Sequence, residues 1–149
     1  MITYHLVKTC VHNYIDDLYS FALSIPELKV SSQIDFMTKE ELYSALLSQS
    51  SVFFVAKDND KIVGFIYFNT EDMEKCFNKQ ACLVYLAVSE EYRKQGIATE
   101  LYNSSIKEIK NIGIKYVFVW ADLHSKIIFF LEKMGYSLGK EHVLMDKLV

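Results

Sequence analysis

Apolar and polar residues alternate from Ile2 to Lys8, the two-residue period of a half-buried strand. At Val11, Tyr14, Ile15, Leu18, Tyr19, Ala22 and Leu23 the period lengthens to that of a helix, which Pro26 stops. Residues 27–36 read as a loop. Thr38 and Glu41 have the spacing of a capping box, so a short helix is expected through Leu42, Ala45 and Leu46. Ser51 to Lys57 and Lys61 to Phe68 are rich in β-branched and aromatic residues on either side of Asp58-Asn59-Asp60, which predicts a hairpin. A polar connection follows from Asn69 to Gln80, acidic at Glu71, Asp72 and Glu74.

Leu83 to Val88 is a continuous apolar strand that runs through Ser89-Glu-Glu-Tyr-Arg-Lys-Gln-Gly96 into a helix. Ile97, Ala98, Leu101, Tyr102, Ser105, Ile109 and Ile112 fall on one arc of that helix, and Asn111-Ile-Gly113 closes it. Ile114 to Trp120 is the next strand, so strand, helix and strand form a crossover with two roughly parallel strands. Ser125 to Met134 predicts a last helix with Ile127, Ile128, Phe130, Leu131 and Met134 inward and Phe129 on the opposite side. Two short strands are expected around Tyr136 to Leu138 and His142 to Leu148.

The chain of 149 residues is the size of one domain, and no Pro- or Gly-rich linker divides it. Its longest apolar runs are too short to span a bilayer, and no charged lead-in to a long apolar stretch marks a signal peptide, so no membrane partner is expected. Cys10, Cys76 and Cys82 are odd in number and lack paired spacing, which fits a reducing cytoplasm better than a disulfide framework or a zinc site. The histidines His5, His12 and His142 are scattered, and no metal is expected. The net charge of −3 is mixed along the chain and excludes a nucleic-acid footprint. A polyanionic ligand is still compatible, with Arg93, Lys94, Lys107, Lys110 and Lys126 as candidates for a local positive excess.

The strand-to-helix junction carries the chemistry. A helix N-terminus aims several backbone N–H groups and a partial positive charge at one place, which suits a phosphate or pyrophosphate. Gly96 has no side chain to keep the anion away, Ala98 a very small one, and Arg93 and Lys94 add charge. Arg93-Lys-Gln-Gly96-Ile-Ala98 resembles the Q/R-x-x-G-x-G/A pattern with which the GNAT superfamily of acyl-CoA-dependent N-acyltransferases holds the pyrophosphate of coenzyme A. Phe54 to Phe65 is similar to the second and third strands of that superfamily, including the glycine at Gly64, and the matches cover most of the chain.

The resemblance implies a single-domain α/β fold over residues 1–149, a central mixed sheet of about six to seven strands flanked by about four helices. It implies that backbone groups of Leu86, Ala87 and Val88 bind the pantetheine arm, and that Arg93, Lys94, Gln95, Gly96, Ile97, Ala98 and Thr99 hold the pyrophosphate. The segment ending Phe130-Leu-Glu-Lys-Met-Gly135-Tyr136 resembles the late motif N-x-x-A-x-x-F-Y-x-K-x-G-F, which puts His124 at its asparagine and Phe130 at its phenylalanine, both near the cofactor. Leu131 stands where many members carry a tyrosine that acts as general acid. A substitute hydroxyl is then sought in Tyr85, Tyr92, Tyr102 or Tyr136, and a base in His124 or Asp122, with Glu71, Asp72 and Glu74 as more distant candidates. Cys82, on an apolar strand, reads as a core residue rather than a nucleophile.

The expectation is therefore transfer of an acetyl group from acetyl-CoA to a primary amine by direct attack, without an acyl-enzyme. A CoA-binding regulatory module with little catalysis is the rival that Leu131 suggests, and a structural domain without a CoA site requires the Arg93 to Ala98 match to be accidental. The chain is expected as a monomer or homodimer, with Phe129 hinting at a dimer contact.

Overall fold

A computed structural model describes residues 1–29, 31, 35–70, 79–141, 143 and 145–148. The acidic residues Glu71, Asp72 and Glu74, together with Cys76 and His142, lie outside the described residues. The described chain forms one sheet in sequential order, β1 (Ile2–Leu6), β2 (Ser51–Asp58), β3 (Lys61–Asn69), β4 (Gln80–Val88) and β5 (Tyr116–Val119). Neighbours from β1 to β4 are antiparallel, and β4 and β5 are parallel, as the crossover requires.

Among the described residues four α-helices cover the sheet: α1 (Ile15–Leu23), α2 (Lys39–Leu47), α3 (Ile97–Asn111) and α4 (Ile127–Lys133). The strand period divides their cores. Phe53, Val55, Phe65 and Tyr67 pack with Leu18 and Ala22 of α1 and with Leu42 and Leu46 of α2. Val52, Ala56, Ile66 and Phe68 pack on the other face with Leu101 and Ile109 of α3 and Leu131 of α4.

Local chemistry sets several boundaries. Glu41 donates its N–H to the Thr38 hydroxyl at 3.2 Å while Thr38 donates its own to the Glu41 carboxylate at 2.7 Å, completing the expected box at the start of α2. The first expected helix is split, since Val11–Asn13 makes a single tight turn after Cys10 at φ 54° and α1 begins only at Ile15. Gly64 is required by space rather than by φ. A Cβ there would lie 2.9 Å from the Ala87 carbonyl oxygen and 3.3 Å from both Leu101 and Val88, so β3, β4 and α3 approach more closely than a side chain allows.

The sheet has five strands among the described residues, fewer than expected, and residues 136–141 form no strand. The reason lies at the end of α4. Tyr136 donates its N–H to the Leu131 carbonyl at 3.0 Å, and its ring packs toward the core of α3 and α4. That residue therefore closes the helix instead of starting a ladder, and Leu138 just beyond it stays 70% exposed. No helix among the described residues is long and apolar enough to cross a membrane.

Candidate active site

The parallel pairing of β4 with β5 runs only from Gln80–Tyr116 to Leu83–Val119. Beyond Leu83, β4 continues to Val88 with β3 on one side and without β5 on the other. Ser89 donates its N–H to Val63 of β3 at 2.9 Å, so strand alternation turns the main-chain groups of Val88 and Leu86 the other way, toward the open edge. The Val88 carbonyl does point there, because it accepts the Nε–H of Arg93 at 3.0 Å.

A bulge precedes this open edge. Tyr67 of β3 faces Tyr85 while Phe68 faces Leu83, which leaves Val84 as the extra residue. One inserted residue exchanges the two sides of a strand. Leu83, Leu86 and Val88 accordingly pack on the α3 side, whereas Tyr85 and Ala87 pack on the α1 and α2 side. Tyr85 is half-buried there, edge-on to Phe36 with ring centroids 5.0 Å apart. Burial, and secondarily the negative charge of Glu41, push its ionisation above the usual tyrosine value, so its hydroxyl remains a donor at neutral pH.

The junction between β4 and α3 has the form of an anion cradle. Lys94 and Gly96 both take left-handed backbone angles, φ 62° and 83°, and α3 begins at Ile97 without any side-chain cap. The N–H groups of the first turn, Ile97, Ala98 and Thr99, are thus left to an outside acceptor. Nothing lies within 4 Å of where a Gly96 Cβ would be, so the space over the turn is open. Ile97 itself is buried in the core beneath α3 and anchors the turn. Gln95 folds back, its side-chain amide donating to the Glu91 carbonyl at 3.2 Å.

Arg93 ties the end of β4 to the segment after α1. Besides Val88 it meets Glu27, at 2.9 Å, in the short turn Pro26–Leu28 that follows α1. A backbone N–H bond to its carboxylate, then the Arg93 guanidinium and the Lys126 charge, hold Glu27 below the usual carboxylate range. Sequence reasoning passed over Glu27, since its partner lies far along the chain and no spacing signals the pair.

The remaining expected residues divide. Asp122 and His124 are exposed in the turn after β5, where the His124 N–H donates to the Asp122 carboxylate at 2.9 Å. Phe130 packs edge-on against Tyr102 with centroids 6.0 Å apart. Leu131 is 4% exposed and belongs to the core, so its position presents no group to the cleft. Of the substitute hydroxyls, Tyr92 donates to Asp58 at 3.1 Å and Tyr102 is buried. Tyr136 is held un-ionised by burial and then by the neighbouring Tyr102.

An open strand edge beside a bare helix N-terminus suits a long ligand with an anionic end. Residues 13–136 match the acetyltransferase (GNAT) family. The chain belongs to that family. It is 31% identical over 88 residues to N-alpha-acetyltransferase 30 of Schizosaccharomyces pombe, a stretch covering 58% of this chain and 58% of that protein. The fold matches an aminoglycoside acetyltransferase from an uncultured soil metagenomic sample, solved with sisomicin, with a TM-score of 0.73 and 21% identity over 99% of this chain and 95% of that one. It also matches AAC(6')-Iy, solved in complex with the bisubstrate analogue CoA-S-monomethyl-acetylneamine, with a TM-score of 0.71 and 11% identity over 100% of this chain and 99% of that one. The GNAT chain described here thus shares its fold with both solved structures.

Proposed function

We propose that this GNAT protein transfers an acetyl group from acetyl-CoA to a primary amine of a small molecule or peptide. The observation that carries the reading is the parting of β4 from β5 beyond Leu83, next to the uncapped start of α3. The residues present fit the cofactor. Backbone groups of Leu86 and Val88 facing the open edge suit the amides of a pantetheine arm, and the turn from Lys94 to Thr99 suits its pyrophosphate. Acetyl-CoA supplies an activated thioester.

The protein has two tasks around that thioester. An alkylammonium of pKa about 10.4 must first lose a proton, which costs roughly 4–5 kcal/mol at pH 7. His124 is the proton acceptor in this reading, exposed in the turn after β5, with Asp122 holding the turn through its bond to the His124 N–H. As the amine forms its bond to the carbonyl carbon, the carbon–sulfur bond breaks, negative charge moves to sulfur, and the second proton of the nitrogen leaves to the thiolate or to solvent. The un-ionised hydroxyl of Tyr85 can steady that charge by a hydrogen bond. Full protonation is not needed, because a thiol of pKa about 8.5 is a tolerable leaving group.

Leu131 favours a second reading, a CoA-binding module with little turnover, because its burial leaves α4 without an acid at that position. Calorimetric titration with CoA followed by thiol release over an amine panel separates the two. Gly96→Asp places a carboxylate in the cradle and is expected to abolish CoA binding while the far-UV circular dichroism spectrum is retained. Unchanged affinity in that variant refutes the site.

A further inference from the structure

We infer that Glu27 is a resident counter-ion of the phosphate cradle, held by Arg93 in the free protein and displaced when the pyrophosphate of the cofactor binds. The inference rests on the reading of this site as one for acetyl-CoA. Arg93 is fixed in place by its Nε–H bond to the Val88 carbonyl, 3.0 Å, at the end of β4. Its Nη2 then meets the Glu27 carboxylate at 2.9 Å. The Lys126 charge, at the start of α4, also favours the ionised form of Glu27. The Glu27 carboxylate is thus tied by Arg93 to the turn that precedes α3.

Carboxylate and phosphate are equivalent partners for a guanidinium, so the two anions compete for one group. The geometry makes the exchange easy. Ile25 and Leu28 are buried in the core beneath α1 and keep the turn anchored, while the Glu27 side chain is 60% exposed and Arg93 41%. Only a side-chain rotation frees the guanidinium, and an exposed ion pair of this kind opposes it weakly. The pair also tells the α1 side of the cleft whether the cradle is filled. A cofactor-bound protein has Glu27 released toward solvent, and a free one has it drawn against Arg93.

The test is calorimetric titration at low ionic strength of the wild type, Glu27→Gln and a control, Glu132→Gln, which removes the same charge on the exposed side of α4. The probes are CoA and, separately, inorganic pyrophosphate. Glu27→Gln is expected to bind both about two- to fivefold more tightly than wild type, the range an exposed ion pair allows. Glu132→Gln should bind like wild type. Equal or weaker binding by Glu27→Gln, or equal tightening by the control, overturns the inference while leaving the cradle intact. A folded wild type that binds neither probe overturns the acetyl-CoA reading, and this inference falls with it.

Discussion

Replacing Gly64 by alanine tests whether the close approach of β3, β4 and α3 is what holds the open edge in place. The added Cβ would sit 2.9 Å from the Ala87 carbonyl oxygen, and also 3.3 Å from Leu101 Cδ1 and Val88 Cγ2. Ordinary carbon–oxygen contacts begin near ~3.3 Å, so β4 must retreat by a few tenths of an ångström. The obstacle is backbone, which has no rotamer to escape into. Overpacking of this kind costs about 1–3 kcal/mol. Loss of the glycine's freedom in the unfolded chain returns about 0.4–1 kcal/mol, which leaves a net destabilisation of about 1–2 kcal/mol. Urea unfolding followed by far-UV circular dichroism measures it as a lower midpoint at unchanged slope. In a thermal scan the same loss is a fall of about 2–8 °C. Because the displaced residues are Ala87 and Val88, CoA affinity should also drop in the fraction that remains folded. A Gly64→Ala protein as stable as wild type refutes the reasoning.

Two other substitutions probe the site from the side of α4. Leu131→Tyr puts a larger, polar side chain into the core and is expected to cost about 1–3 kcal/mol without raising kcat, as read by urea unfolding and thiol release; a faster enzyme would show that the position does face the cleft. Among the described residues no hydrogen-bond partner meets the buried Tyr136 hydroxyl, although the Tyr102 ring lies 6.1 Å away between centroids. Tyr136→Phe should therefore be neutral or stabilising by up to about 1 kcal/mol at pH 7. The folded tyrosine ionises above its unfolded value of about 10, so its contribution is present below that pH and is lost as pH rises further. The phenylalanine variant should show a shallower decline in stability at alkaline pH, and a loss of more than about 1 kcal/mol at pH 7 would mean the hydroxyl is bonded.

How much of this was legible depended on how local the signal was. Thr38 and Glu41 announce their helix because both partners lie within one turn, and Asp58-Asn59-Asp60 announces its hairpin because Asn59 tolerates the left-handed angle the turn needs, φ 55°. The turn at Gly96 and the helix that follows it were legible for the same reason, being adjacent in sequence. The bulge at Val84 was not, since Leu83 to Val88 is apolar at every position and alternation carries no information there. Nor was the Arg93–Glu27 pair, which exists only once α1 has packed against the sheet. The strand expected around Tyr136 to Leu138 was over-read because Tyr136 matches a strand former by type, while its backbone is committed to closing α4.

The bulge at Val84 also separates two kinds of evolutionary constraint. Residues two apart across it, Leu83 and Tyr85, belong to different cores, while Leu83 and Leu86, three apart, share one. The side chains of Tyr85 and Ala87 are therefore answerable to the packing under α1 and α2, and those of Leu86 and Val88 to the packing beneath α3. One surplus residue lets a single strand meet two separate sets of constraints between Leu83 and Val88.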